Sequence, residues 1–90
     1  MAKTWDYKDP DETLDYRIDW SDRLAGDTIA TSVWVVPPGL TEGPNLNDET
    51  TTTIWLAGGV EGATHSLTNR ITTAGGRTMD QSVLLAIKSK

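Results

Sequence analysis

The residues best suited to chemistry lie in the stretch TTAGGRTM, Thr72–Met79, where a glycine pair abuts Arg77 and sits a few residues after Arg70. Glycines beside positive charge can cradle a phosphate, but a phosphate loop needs one of two further features. One is the Walker pattern, with lysine after a second glycine; the other is a glycine fingerprint opening a helix. This stretch has neither. It lies between two segments of alternating polarity, where glycine supplies the positive φ that tight hairpin turns require. The pair therefore reads as a hairpin tip, which puts Arg70 and Arg77 near one end of the molecule, where they either meet a partner's carboxylates or stay hydrated.

The remaining candidates for chemistry are few. Asp6, Asp9, Asp11, Glu12, Asp15, Asp19, Asp22 and Asp27 crowd the first third, but their spacing does not follow a calcium-binding loop. Asp15 and Asp19 fall on the solvent side of an alternating segment, so a hydrated charged face is the reading. His65 is the only histidine and the chain has no cysteine. No transition-metal ligand set can be assembled around it, nor a nucleophile–histidine–acid constellation from spacing. His65 shares a face with Leu67 and Ile71, which makes it an interior or corner side chain; Asn69 on that face is expected to tie backbone groups together where strands meet. No catalytic residue, metal or cofactor is expected.

Ninety residues are expected to make a single core, and a net charge of −5 disfavours the phosphate backbone of a nucleic acid. No apolar run is long enough to span a membrane, and the acidic, broken start MAKTWDYKDPDE does not read as a signal peptide. Phenylalanine is absent and tryptophan occurs four times, so the core must lean on Trp20, Trp34 and Trp55 with Val, Leu and Ile.

The elements that position these side chains follow from periodicity. Leu14, Tyr16, Ile18 and Trp20 alternate with charged residues, as in a strand with one buried face. SDRLAGD turns the chain at Gly26-Asp27, and TIATSVWVV forms a second strand ending at Val36 before Pro37-Pro38-Gly39. GLTEGPNLNDE reads as a loop or a poorly paired edge. TTTTIWLAGG is a third strand, whose Ile54-Trp55-Leu56 run implies burial on both sides or a bulge. THSLTNRITT is a fourth, with His65, Leu67, Asn69 and Ile71 on one face. In the last strand Met79, Gln81, Val83, Leu85 and Ile87 share a side. No window has a helical period. Short strands joined by short turns predict an all-β fold, a small immunoglobulin-like antiparallel β-sandwich of six or seven strands centred on Trp34.

Residues 1–12 lack a period and carry Pro10, so they read as an extended N-terminal arm on a sandwich of residues 13–90. Trp5 and Tyr7 in this arm are large amphipathic groups outside the periodic core. They either anchor a partner or fold back over an open end of the sandwich. Trp5, Tyr7, Lys8, Arg70 and Arg77 are the candidate partner-binding residues.

The order and spacing of KDPDETLDYRIDWSDRLAGDTI, Ser32, Trp34, VPPGLT, TTTTIWLAGG and LTNRITTAGGRT resemble the fiber-tail adaptor proteins of tailed bacteriophages, over almost the whole chain from Lys8. His65 stands where an aromatic such as tyrosine is expected, and Ala57 where serine is usual. The resemblance implies a non-enzymatic virion component, assembled in the host cytoplasm, that joins tail or fiber proteins in multiple copies. Its partners would be other phage structural proteins, with no nucleic acid or membrane involved. A capsid decoration protein and a carbohydrate-binding module, with Trp5 and Trp55 stacking on sugar rings, are the alternatives.

Overall fold

The computed structural model describes residues 3–90; residues 1 and 2 of the expected arm lie outside the described residues. Among the described residues the chain forms β1 (Lys3–Thr4), β2 (Leu14–Asp19), the single-turn helix α1 (Ser21–Leu24) and β3 (Ile29–Val35). It continues through β4 (Leu40–Asn47), β5 (Thr51–Gly58), β6 (Thr64–Thr73) and β7 (Thr78–Ala86). The strands make two sheets, ordered β1-β7-β6-β3 and β2-β5-β4. All pairings are antiparallel except that of β1, which runs parallel to β7.

Alternation explains the layers. In β6, His65, Leu67, Asn69, Ile71 and Thr73 are buried, while Thr64, Ser66 and Arg70 between them are exposed. In β7, Gln81, Val83 and Leu85 turn inward, and Ile87 beyond the strand continues the row. Ile54 and Leu56 are fully buried with Trp55 exposed between them, so this run of β5 alternates, although Thr52 and Thr53 before it are both buried. The bulge lies on its partner. Glu42 faces Leu56 and Asn45 faces Ile54, so Gly43 and Pro44 together oppose Trp55. A side chain at Gly43 would come within 3.1 Å of the Trp55 Cβ, which is why a residue without one stands there.

Asn69 joins the two sheets at the centre of the core. Its Oδ1 accepts from Trp20 Nε1 (3.0 Å) and Thr52 Oγ1 (2.7 Å) on the β2-β5 side. Its Nδ2 donates to Ser32 Oγ (2.9 Å) and the Val33 carbonyl (3.0 Å) on β3. Asn69 is fully buried, and all four of its hydrogen-bonding positions are filled. The bonds therefore repay the desolvation of the amide and fix the register of one sheet against the other.

Trp55, expected in the core, faces solvent instead, and one segment differs from the sequence reading. SDRLAGD contains α1, a single turn too short to show a helical period. It is held by the Asp19 carboxylate accepting from the Ser21 N–H, by the bond from the Leu24 N–H to the Trp20 carbonyl, and by burial of Leu24. It ends on left-handed Ala25 and Gly26, with φ of 51° and 90°. Of the two readings of GLTEGPNLNDE, the poorly paired edge holds: β4 is the edge of the three-stranded sheet. Its bulge at Gly43-Pro44 removes the alternation that would have revealed it.

Candidate functional site

The hairpin at residues 73–77 is built by division of labour within the glycine pair. Gly76 takes a φ of +90°, whereas Gly75 has no positive φ and is needed for space. A Cβ at Gly75 would come within 2.7 Å of Asp27 Oδ2. The Asp27 carboxylate instead accepts from the N–H groups of Gly75 (3.1 Å) and Thr28 (2.8 Å), stapling the tip to the start of β3. Its pKa lies below the ordinary carboxylate value, first because of a hydrogen bond from Thr73 and then through these backbone donors. The loop binds a carboxylate of its own chain.

Arg70 and Arg77 lie towards this hairpin end. Arg70 is exposed on the outer face of β6 and grips Asp80 on β7 through two bonds, Nε to Oδ1 at 2.8 Å and Nη2 to Oδ2 at 3.0 Å. That pair holds the Asp80 carboxyl low and the guanidinium high. Being exposed and screened by solvent, it adds little to stability. Arg77 is exposed at the tip, and its N–H donates to Thr73 Oγ1.

The arm candidates sit elsewhere. Residues 3–8 run alongside β7: the Trp5 N–H donates to the Leu84 carbonyl and the Lys8 N–H to that of Ala86, while Lys88 N–H donates back to Lys8. Trp5 bridges the sheets. Its ring stacks on Tyr16 at 4.7 Å between centroids and tilts against Trp34 at 5.9 Å, and its Nε1 donates to the Arg17 carbonyl on β2. The Tyr16 hydroxyl and Trp34 Nε1 in this aromatic group are buried without a hydrogen-bond partner. Burial pushes the Tyr16 pKa up to about 12.

Lys8 is fully buried, its ammonium donating to the carbonyls of Gly58 (2.7 Å) and Asp9 (2.8 Å). Desolvation lowers its pKa, against the opposing pull of Glu12, Asp9 and Asp11. Its head group faces the protein's own backbone. Tyr7 instead stands 46% exposed, with the ammonium groups of Lys88 and Lys90 at 5.5 and 5.6 Å from its ring centroid. Lys90 is fastened by its Nζ to Glu12 (2.7 Å) and by its N–H to Asp9 (2.8 Å), so the last residues of the chain lock against the arm.

The five sequence candidates thus do not form one surface. Trp5, Tyr7 and Lys8 follow the end of β7 and Arg77 precedes its start; the nine residues of that strand span about 30 Å. Lys88 and Lys90 complete the Tyr7 cluster, which no local spacing reveals because the aromatic lies some eighty residues earlier in the chain. His65 is a corner side chain: its Nε2 accepts from the Val60 N–H (3.3 Å), and its ring lies 3.0 Å from where a Cβ on Gly39 would be. Among the described residues, no three His, Cys, Asp or Glu side chains converge to hold a metal.

Among solved structures, the solution structure of the PKD domain from KIAA 1837 protein is similar in fold, with 16% identity and a TM-score of 0.58. The match covers 99% of this chain and 81% of that one. The two packed sheets and this likeness make the fold an immunoglobulin-like β-sandwich. No curated protein matches the sequence. The family described as Podophage GP4 fiber-tail adaptor protein gp77 matches residues 8–86, nearly the whole sandwich with the inner part of the arm. The chain belongs to this family of phage fiber-tail adaptors.

Proposed function

We propose that the protein is a non-enzymatic structural part of a tailed-phage virion that joins tail and fiber proteins through the arm end of its sandwich. The observation that carries the contact is Tyr7, half exposed with the ammonium groups of Lys88 and Lys90 near its ring, on a chain of net charge −5. An exposed aromatic beside the Lys88 cation, with Lys90 held by Glu12, suits a partner surface that offers a carboxylate near an apolar pocket. Multiple copies in a symmetric assembly would let a modest contact hold firmly.

Electron microscopy of intact particles tests the role: density for the chain at the tail–fiber junction, in roughly six to a dozen copies as a closed tail ring would hold, is expected. Hundreds of copies on the head shell would make it a decoration protein. Tyr7→Ala combined with Lys88→Glu tests the contact. The double variant is expected to melt like the parent yet enter particles poorly, and normal incorporation would move the contact away from this end.

A further inference from the structure

The sandwich has four strand edges, and three are guarded. The edge strand β2 carries Asp15, Arg17 and Asp19 on its exposed face, while β4 is broken by the Gly43-Pro44 bulge. β1 is only two residues long. Charges, proline, bulges and short edge strands are the ordinary means by which proteins stop an edge from templating another strand. β3 has none of them beyond its first two residues. It pairs with β6 alone, and the run Thr31-Ser32-Val33-Trp34-Val35 contains no charge, proline or glycine. The irregularity in its pairing is confined to Ile29/Thr31, so these five residues keep an unbroken register. Val33 and Val35 are 58% and 62% exposed on the outer face of the sheet.

We propose that this edge pairs with the same edge of a second copy, antiparallel about a twofold axis at Val33, joining two four-stranded sheets into one continuous sheet. The regular run has Val33 at its centre, so self-pairing in this register wastes no residue. Val33 meets Val33 of the second copy, Thr31 meets Val35, and Ser32 meets Trp34. On the outer face every pair is then β-branched and uncharged, a combination that favours strand pairing, with no like charges opposed. The contact is isologous and closes at two copies. Like net charge on the two copies opposes it, so the association strengthens as salt rises. The inference goes beyond the adaptor role and does not depend on the Tyr7 contact.

The chain has no cysteine, so introduced ones report cleanly. Directly opposed residues of an antiparallel pair have Cα atoms about 4.5–5.5 Å apart, within the range a disulfide bridges. Under mild oxidation Val33→Cys is expected to form a covalent dimer. Val35→Cys alone should form no covalent dimer, but should cross-link when mixed with Thr31→Cys. Sedimentation of the unaltered chain should show a salt-strengthened monomer–dimer equilibrium that Val33→Lys abolishes without changing the melting temperature. A chain that sediments as a monomer at every concentration and salt, or Val33→Cys cross-linking no faster than Val35→Cys, overturns the proposal. So does a monomeric parent whose Val33→Lys variant is folded but excluded from particles, since the edge would then take a strand from a different protein.

Discussion

Asn69 shows how much one buried side chain can organise. Its four bonds reach Trp20, Thr52, Ser32 and the Val33 carbonyl, so its loss strands polar groups on both sheets at once. Each buried group left unsatisfied costs about 1–3 kcal/mol. Asn69→Ala is therefore expected to destabilise the fold by about 3 kcal/mol or more, a large share of the roughly 5–13 kcal/mol a domain this size commands. Urea unfolding followed by tryptophan fluorescence measures it. A loss below about 1 kcal/mol would mean that water replaces the amide without penalty. That Asn69 faces inward was legible from its place between Leu67 and Ile71. Its partners were not, because they come from three other strands or strand ends, 17 to 49 residues away.

At the scale of elements, the first residues behave as a clasp rather than a loose tail. Trp5 touches Tyr16 and Trp34 and bonds to β2 while its backbone bonds to β7, so it draws the two sheets together at one side. Trp5→Ala removes that stacking and burial, and should cost about 2 kcal/mol, less than a fully buried tryptophan because the ring keeps some exposure. Hydrogen exchange provides the specific reading: the amides of Lys8 and Lys88, which bond across to β7 and back, should lose protection well before those of β6. Unchanged protection would mean that the strand pairing needs no help from the ring. The aromatics were visible in the sequence, and so was the choice between anchoring a partner and folding back. Only the placement of Tyr16 and Trp34 side by side divides the labour, with Trp5 packed inward and Tyr7 left in solvent.

Across the whole molecule the acidic surface is wired into the fold. Asp9, Asp27, Asp48 and Asp80 all titrate below their ordinary 3.8, each chiefly through hydrogen bonds donated to the carboxylate. For an acid whose folded pKa is depressed, the stabilisation is fully present above the unfolded pKa and is lost as pH falls through the folded one. Melting temperature is therefore expected to hold down to about pH 4 and then to drop. Asp27→Asn, which removes the staple between the hairpin tip and β3, should lower the melting temperature at neutral pH and flatten the acid slope. An acid slope identical to the parent's would remove Asp27 from that account.

The sequence by itself determined the fold class, the inward faces of β2, β6 and β7, the hairpin at Gly75-Gly76 and an interior or corner place for His65. These follow from local period and turn chemistry, which act between neighbours in the chain. It did not decide between a loop and a poorly paired edge for β4, whose Gly43-Pro44 bulge erases alternation and whose identity as a strand comes from pairing with β5. Nor did it separate the roles of the two glycines. One answers a backbone angle and the other the approach of Asp27, 48 residues distant. The tertiary structure decided which candidates face outward. Lys8 turns in to the Gly58 carbonyl, Arg70 is taken by Asp80, and Tyr7 is set near two lysines from the far end of the chain. Such pairings depend on distance in space, which no spacing along the chain encodes.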